Sequence, residues 1–259
     1  MKKTLLTAVS AVLMTCFSVA WSQDQAAEGP RWLPVETFTC HFKDGKTMAD
    51  LDMVNKEWNK WMDAEGMGNY FAALLTPQYF GEYLFDVGWL GVWKDGNVMG
   101  AGTDLWLTKG TAVGAKFDAI LDCTSHTNFA STMIKAPVSD DEDGDNKFVL
   151  DFTNCSIRDG QNFEAVMAAV NAWAEHQTAN GFQNSTYMMF PIFGESGGDY
   201  AFKLVEGHDD YTAFGADYER MGNGGHWKKQ QELQAAVLDC DIPRVYDARV
   251  VREFADDDE

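Results

Sequence analysis

Sliding the 259-residue sequence along itself by 115 positions brings Cys40, Asp44, Gly45, Trp58, Gly66, Gly100 and Ala101 onto Cys155, Asp159, Gly160, Trp173, Gly181, Gly215 and Ala216. With the offset widened to 117, the "AILDC" ending at Cys123 falls on the "AVLDC" ending at Cys240. Self-similarity at a near-fixed offset restricts the fold more than composition does, because one architecture must serve twice in one chain. The pattern reads as a tandem duplication: a first unit over 33–137, an acidic linker over 138–146, a second unit over 147–254 and an acidic tail over 255–259.

Each unit opens on a β-branched and aromatic stretch, "VETFTCHF" or "KFVLDFTNCSI", that reads as a strand. An Asp-Gly turn follows, then Thr47 or Asn162 at a helix N-cap, with Asp50 completing a near capping box in the first unit. Met48, Leu51, Trp58 and Met62 recur at helical spacing, as do Phe163, Val166, Val170 and Trp173. Gly66 and Gly181 stand where a left-handed residue ends a helix. Two strand-like stretches readable as a hairpin, a second helical region and a final strand complete each unit. The final strands are read at "TNFASTMIK" and "RVYDARVVRE". This order, βαββαβ, is the ferredoxin-like pattern of an α+β fold. In it the first and last strands are antiparallel neighbours. Four cysteines admit three pairings, and this topology favours Cys40 with Cys123 and Cys155 with Cys240. Each bond would close a loop worth on the order of 4 kcal/mol by chain entropy.

The chain begins "MKKTLLTAVSAVLMTCFSVAWSQDQ", two lysines and an apolar run ending in small residues. Residues 1–22 read as a secretory signal cut near Ser22, and Cys16 is a poor lipoprotein site because Phe17 follows it. The expected destination is the periplasm or the exterior, where disulfides form. Formal charge is -20, or -22 once Lys2 and Lys3 leave with a signal that carries no acid. Such a surface repels nucleic acid and anionic lipid, and no later run is long and apolar enough to span a bilayer. The acidic "DEDGDN" lacks the ligand spacing and closing Glu of a calcium loop. No metal site is expected.

Two consecutive βαββαβ units resemble the dimeric α+β barrel superfamily, in which two ferredoxin-like units pack sheet to sheet. The resemblance covers residues 35 to 254 and rests on element order. In the second unit, "YAFKLVEGHDDYTAF" is similar to the third strand and following turn of antibiotic-biosynthesis monooxygenase-like domains, with Glu206 and Asp209 or Asp210 at acidic positions of that loose pattern. The first unit departs from it with "GWLGVWKDGNV". The resemblance implies a monomer whose two units form an intramolecular pseudo-dimer. It leaves open cofactor-free monooxygenases, haem-binding enzymes, stress-response modules and ligand binders.

Residues present in only one unit are where function could have been added. Trp61 matches His176 and Trp93 matches His208 at the same offset of 115. His41 faces Ser156 in the comparison, and Cys40 is already assigned to a disulfide, so Cys40-His41 is not read as a thiol and its base. If His176 shares the sheet-packing face of its helix with Trp173, a second-unit cavity could hold Asn154, Tyr187, Met189 and Glu206 beside His176 and His208. No Gly-x-Ser-x-Gly elbow, phosphate-binding glycine loop or His-Glu-x-x-His helix is present. The expectation is an exported protein that binds an apolar or aromatic small molecule, with no cofactor. A cofactor-free monooxygenase and an envelope interaction module are the alternatives. Were haem bound, the absence of Cys-x-x-Cys-His would make it noncovalent, with His226 as the iron ligand.

Overall fold

The computed structural model of the protein describes residues 30–82, 84–138, 146–194 and 200–255. The N-terminal run read as a secretory signal, Cys16, the acidic run 139–145 and the last four residues lie outside the described residues.

The first half runs β1 (Leu33–Phe42), α1 (Met48–Ala64), β2 (Tyr70–Tyr79), β3 (Val87–Trp93), α2 (Gly96–Lys109), α3 (Thr111–Asp118) and β4 (Leu121–Lys135). The second half runs β5 (Lys147–Ile157), α4 (Phe163–Ala179), β6 (Ser185–Phe193), β7 (Phe202–His208), α5 (Tyr211–Met221), α6 (Trp227–Gln234), β8 (Leu238–Cys240) and β9 (Arg244–Arg252). Local chemistry sets these boundaries. Asp50 Oδ2 accepts from the Thr47 backbone amide at 2.9 Å at the start of α1, and Asn162 Oδ1 accepts from Ala165 N at 2.9 Å at the start of α4. After those helices Gly66 and Gly181 both take φ of 73°, a left-handed conformation that costs an L side chain about 1–2 kcal/mol.

The strands pair antiparallel in the order β4-β1-β3-β2 in one half and β9-β5-β7-β6 in the other. Pairing of β2 with β9 and of β4 with β6 joins the halves into a closed barrel of eight strands, to which the three-residue β8 adds at β5. Closure leaves these eight strands without a free edge.

The barrel interior is filled by Val35, Leu75, Leu90, Phe129, Phe152, Met189, Val205 and Tyr246, one from each strand of the ring. Alternate residues point outward. Over the first half they meet Trp58 and Met62 of α1, and over the second they meet Val166 and Val170 of α4. Phe202 is wholly buried there, which by area stabilises the fold by roughly 2–3 kcal/mol.

Two boundaries differ from the sequence reading. The last strand of the first half begins at Leu121, because pairing with β1 continues past a bulge at Thr39 and Cys40 as far as Phe42 opposite Leu121. In the second half the matching pairing is interrupted between Cys240 and Arg244, where Pro243 has no amide hydrogen for a ladder bond.

Disulfides join Cys40 to Cys123 and Cys155 to Cys240, each between residues directly opposite in register. The two bonds point to an oxidising, extracytoplasmic environment. Among the described residues no helix is long and apolar enough to cross a membrane.

Candidate functional site

Strand alternation divides the candidate residues among three places, so they do not share one cavity. Asn154 and Tyr187 lie on the barrel side of β5 and β6. Asn154 Oδ1 accepts from Lys203 Nζ at 2.7 Å, and Tyr187 packs on the interior core that contains Met189. Glu206 and His208 alternate with Val205 on β7 and therefore face outward, toward α4 and α5. His176 stacks on Trp173, with ring centroids 5.3 Å apart, and its Nε2 lies 2.8 Å from Nδ1 of His226 at the edge between α4 and α6.

The outward face of β5 and β7 carries a buried ionisable cluster. One ligand-type atom each from Asp151, Glu206 and His208 lies within 4.8 Å of the others. His208 is 5% exposed and Asp151 7%. His208 Nε2 lies 3.9 Å from Asp151 Oδ2, and its Nδ1 lies 3.5 Å from Asp217 Oδ2. Gln177 of α4 donates to Glu206 Oε1 at 3.0 Å. Burial pushes the carboxyl of Asp151 well above the usual carboxylate range, and the neighbouring Glu206 charge adds to this. Burial raises Glu206 as well, against the Gln177 hydrogen bond.

Asp217, by contrast, is held below the usual range. Burial works to raise it, but contact with His208 and the backbone amides of Gln183 and Asn184, at 3.0–3.1 Å, outweighs that effect. Arg220 Nη1 completes its shell at 2.9 Å. Lys135, also buried, donates to the carbonyls of Phe182 and Asn184. Burial draws its ammonium below the ordinary lysine value, opposed by Asp217 and Glu206.

The first half treats the equivalent face differently. Glu36 stands opposite Gly91 there, as Asp151 stands opposite Glu206. The Tyr70 hydroxyl occupies the space where a side chain at residue 91 would begin. The pairing of β6 with β7 is one residue out of step with that of β2 and β3. Tyr70 pairs with Trp93, whereas the residue before the Ser185–Gly207 pair, and so opposite His208, is Asn184. A short side chain there leaves room for the Glu206 carboxylate. Sequence reasoning missed Asp151, Asp217, Lys135, Gln177 and Asn184. Gln177 alone carried a usable signal: it follows Trp173 by four residues, on the same helix face.

At the α4–α6 edge, Phe182 approaches both Trp173 and His226 edge-on, at 5.8 and 5.4 Å. Asn180 Nδ2 lies 3.3 Å from His176 Nδ1. Desolvation and then the neighbouring His226 hold the His176 imidazolium below its ordinary pKa, and Lys229 adds to this against Glu232. Where the halves meet, an open cleft of about 340 Å³ between α1 and β9 is lined by Asp52, Asn55, Lys56, Asn59 and Arg249, none of them a candidate.

No family model matches the chain, and no curated protein sequence matches it. Solved structures do match. A dye-decolorizing peroxidase from Bacteroides thetaiotaomicron superposes with a TM-score of 0.54 at 9% identity, over 86% of this chain and 94% of that one. A protein assigned as a monooxygenase from Fusobacterium nucleatum gives 0.54 at 10% identity, over 87% and 94%. A haem-binding protein from Thermus thermophilus gives 0.50 at 11% identity, over 85% and 94%. The chain thus shares the fold of these three proteins.

These matches correct the expectation of no cofactor, because a haem-binding protein is built on the same barrel. The layer between α4 and the sheet is filled by Val166, Val170, Trp173, Met188 and Phe202, each at most 3% exposed. A donor of the kind a haem iron takes lies at the α4–α6 edge instead: a partly exposed imidazole, His226, in contact at Nδ1 with a second imidazole and approached edge-on by the ring of Phe182.

Proposed function

We propose that the protein is an exported small-molecule binder whose ligand, a flat aromatic molecule of the haem class, docks at the α4–α6 edge. The observation that carries this reading is the 2.8 Å contact between His176 Nε2 and His226 Nδ1. In the tautomer in which His226 Nδ1–H donates to His176 Nε2, the other nitrogen, Nε2 of His226, keeps the lone pair that meets the ligand. Trp173 holds His176 in place by stacking, and Trp227, next to His226 in the chain and 47% exposed, offers apolar surface. Haem bound there would supply a redox-active or gas-binding iron; the chain itself supplies the imidazole, its orientation and the aromatic wall.

The reading includes the architecture. The two halves are copies of one ferredoxin-like unit, fused so that a barrel needing two units forms within one chain. Matching strand orders and matching disulfides support this. Cleavage near Ser22 followed by export fits the two disulfides, and mass measurement of the mature N-terminus tests it.

For the ligand, haem is titrated into purified protein and followed at the Soret band. Saturation at one equivalent is expected, weakened at least tenfold by His226→Ala and shifted in spectrum by His176→Ala. A saturable spectrum unchanged by His226→Ala, or no binding at all, overturns the assignment.

A further inference from the structure

We infer that Asp151, Glu206 and His208 form a binding site for one divalent first-row metal ion, separate from the α4–α6 imidazole pair. Three unlike side chains from adjacent strands, β5 and β7, bring two carboxylate oxygens and one imidazole nitrogen within 4.8 Å of one another. That spread matches donors around one ion at bond lengths of about 2.0–2.2 Å after small side-chain adjustments. A mixed imidazole and carboxylate set suits Zn²⁺, Mn²⁺ or Fe²⁺ better than a purely oxygen-seeking ion.

Two further observations point into the site. His208 is 5% exposed, and with its Nδ1 turned to Asp217 Oδ2 at 3.5 Å its other nitrogen, Nε2, is the one that faces Asp151, 3.9 Å from Oδ2 and beyond hydrogen-bond distance. Gln177, 2% exposed, binds Glu206 through its amide nitrogen while its Oε1 has no partner. A buried acceptor without a partner beside such a cluster calls for a missing counterpart. Asp217 lies at the Nδ1 side of His208, the arrangement by which a carboxylate orients a metal-bound imidazole. His208 and Lys135 both work to lower the pKa of Glu206, and Lys135 gives two of its three donors to the carbonyls of Phe182 and Asn184. Glu206 is the least buried of the three and marks the side from which an ion would enter.

The competing account is a carboxyl and a carboxylate sharing one proton, with no ion. Metal-stripped full-length protein is titrated with Zn²⁺ and, separately, Mn²⁺, with melting temperature and calorimetric stoichiometry as readouts. We expect one equivalent bound and a raised Tm. Both are retained in His226→Ala and weakened at least tenfold in Asp151→Asn. Glu206→Gln, which keeps an acceptor for Gln177, gives the same test if Asp151→Asn fails to fold. No Tm shift with either ion supports the shared proton and overturns the proposal. Binding lost in His226→Ala but kept in Glu206→Gln also overturns it, by placing the ion on the imidazole pair.

Discussion

Tyr70 donates its phenolic hydrogen to Glu36 Oε1 at 2.7 Å while its oxygen accepts from Trp89 Nε1 at 2.9 Å. The ring is 3% exposed, so Tyr70→Phe strands a carboxylate oxygen and an indole donor and is expected to cost about 1–3 kcal/mol. Burial first, and then the Glu36 charge, raise the phenol well above its ordinary value of 10.0. Below pH 10 both folded and unfolded chains keep this proton and stability is undiminished. Above it the unfolded chain ionises first and stability falls. Urea midpoints at about pH 9 and 11, bracketing that phenol value, should therefore differ less in Tyr70→Phe than in the unaltered protein.

The disulfides span 83 and 85 residues, so the chain-entropy model gives them nearly equal worth, about 4 kcal/mol each. Replacing either pair by serines should lower the guanidinium midpoint by similar amounts. A variant lacking only Cys40–Cys123 that is far more stable than one lacking only Cys155–Cys240 would show that native-state packing, not loop closure, dominates.

What the sequence disclosed was local. The caps at Thr47 and Asn162 and the left-handed glycines each depend on a few adjacent residues, and the order of elements follows from them. The cysteine pairing followed from that order. Which way a strand residue faces was not legible, because one step of register reverses every side chain. That is why Tyr187 and Asn154 were grouped with Glu206, although a sheet separates them. Asp151 and Asp217 could not be singled out in a chain with 40 acidic residues, since only burial distinguishes them. The approach of His226 to His176 crosses 50 residues and depends on where α6 packs.

Lys135 ends β4 with its ammonium on the carbonyls of Phe182 and Asn184, tying the first half to the segment after α4. Lys135→Met keeps the stem's apolar packing but leaves two carbonyls unpaired and removes the positive charge facing Asp217 and Glu206. A loss on the order of 3 kcal/mol is expected by chemical denaturation. A loss below about 0.5 kcal/mol, the level of an ordinary surface change, would mean those carbonyls find water instead.

Gly91 is the first-half counterpart of the space that Glu206 uses. A methyl group at residue 91 would fall on the Tyr70 hydroxyl and press on Glu36 Cγ at 3.0 Å. Gly91→Ala should push the Tyr70 ring off both Glu36 and Trp89, for about 2–4 kcal/mol from overpacking and lost hydrogen bonds together. Removing the hydroxyl relieves the worst of the clash, so the same substitution should cost less in the Tyr70→Phe background. The double-mutant cycle reads this directly, and a coupling energy of at least about 1 kcal/mol is expected for groups in contact. Additive losses would mean that the β3 backbone moves while Tyr70 stays, and that the absent side chain at residue 91 is not what seats the Tyr70–Glu36 bond.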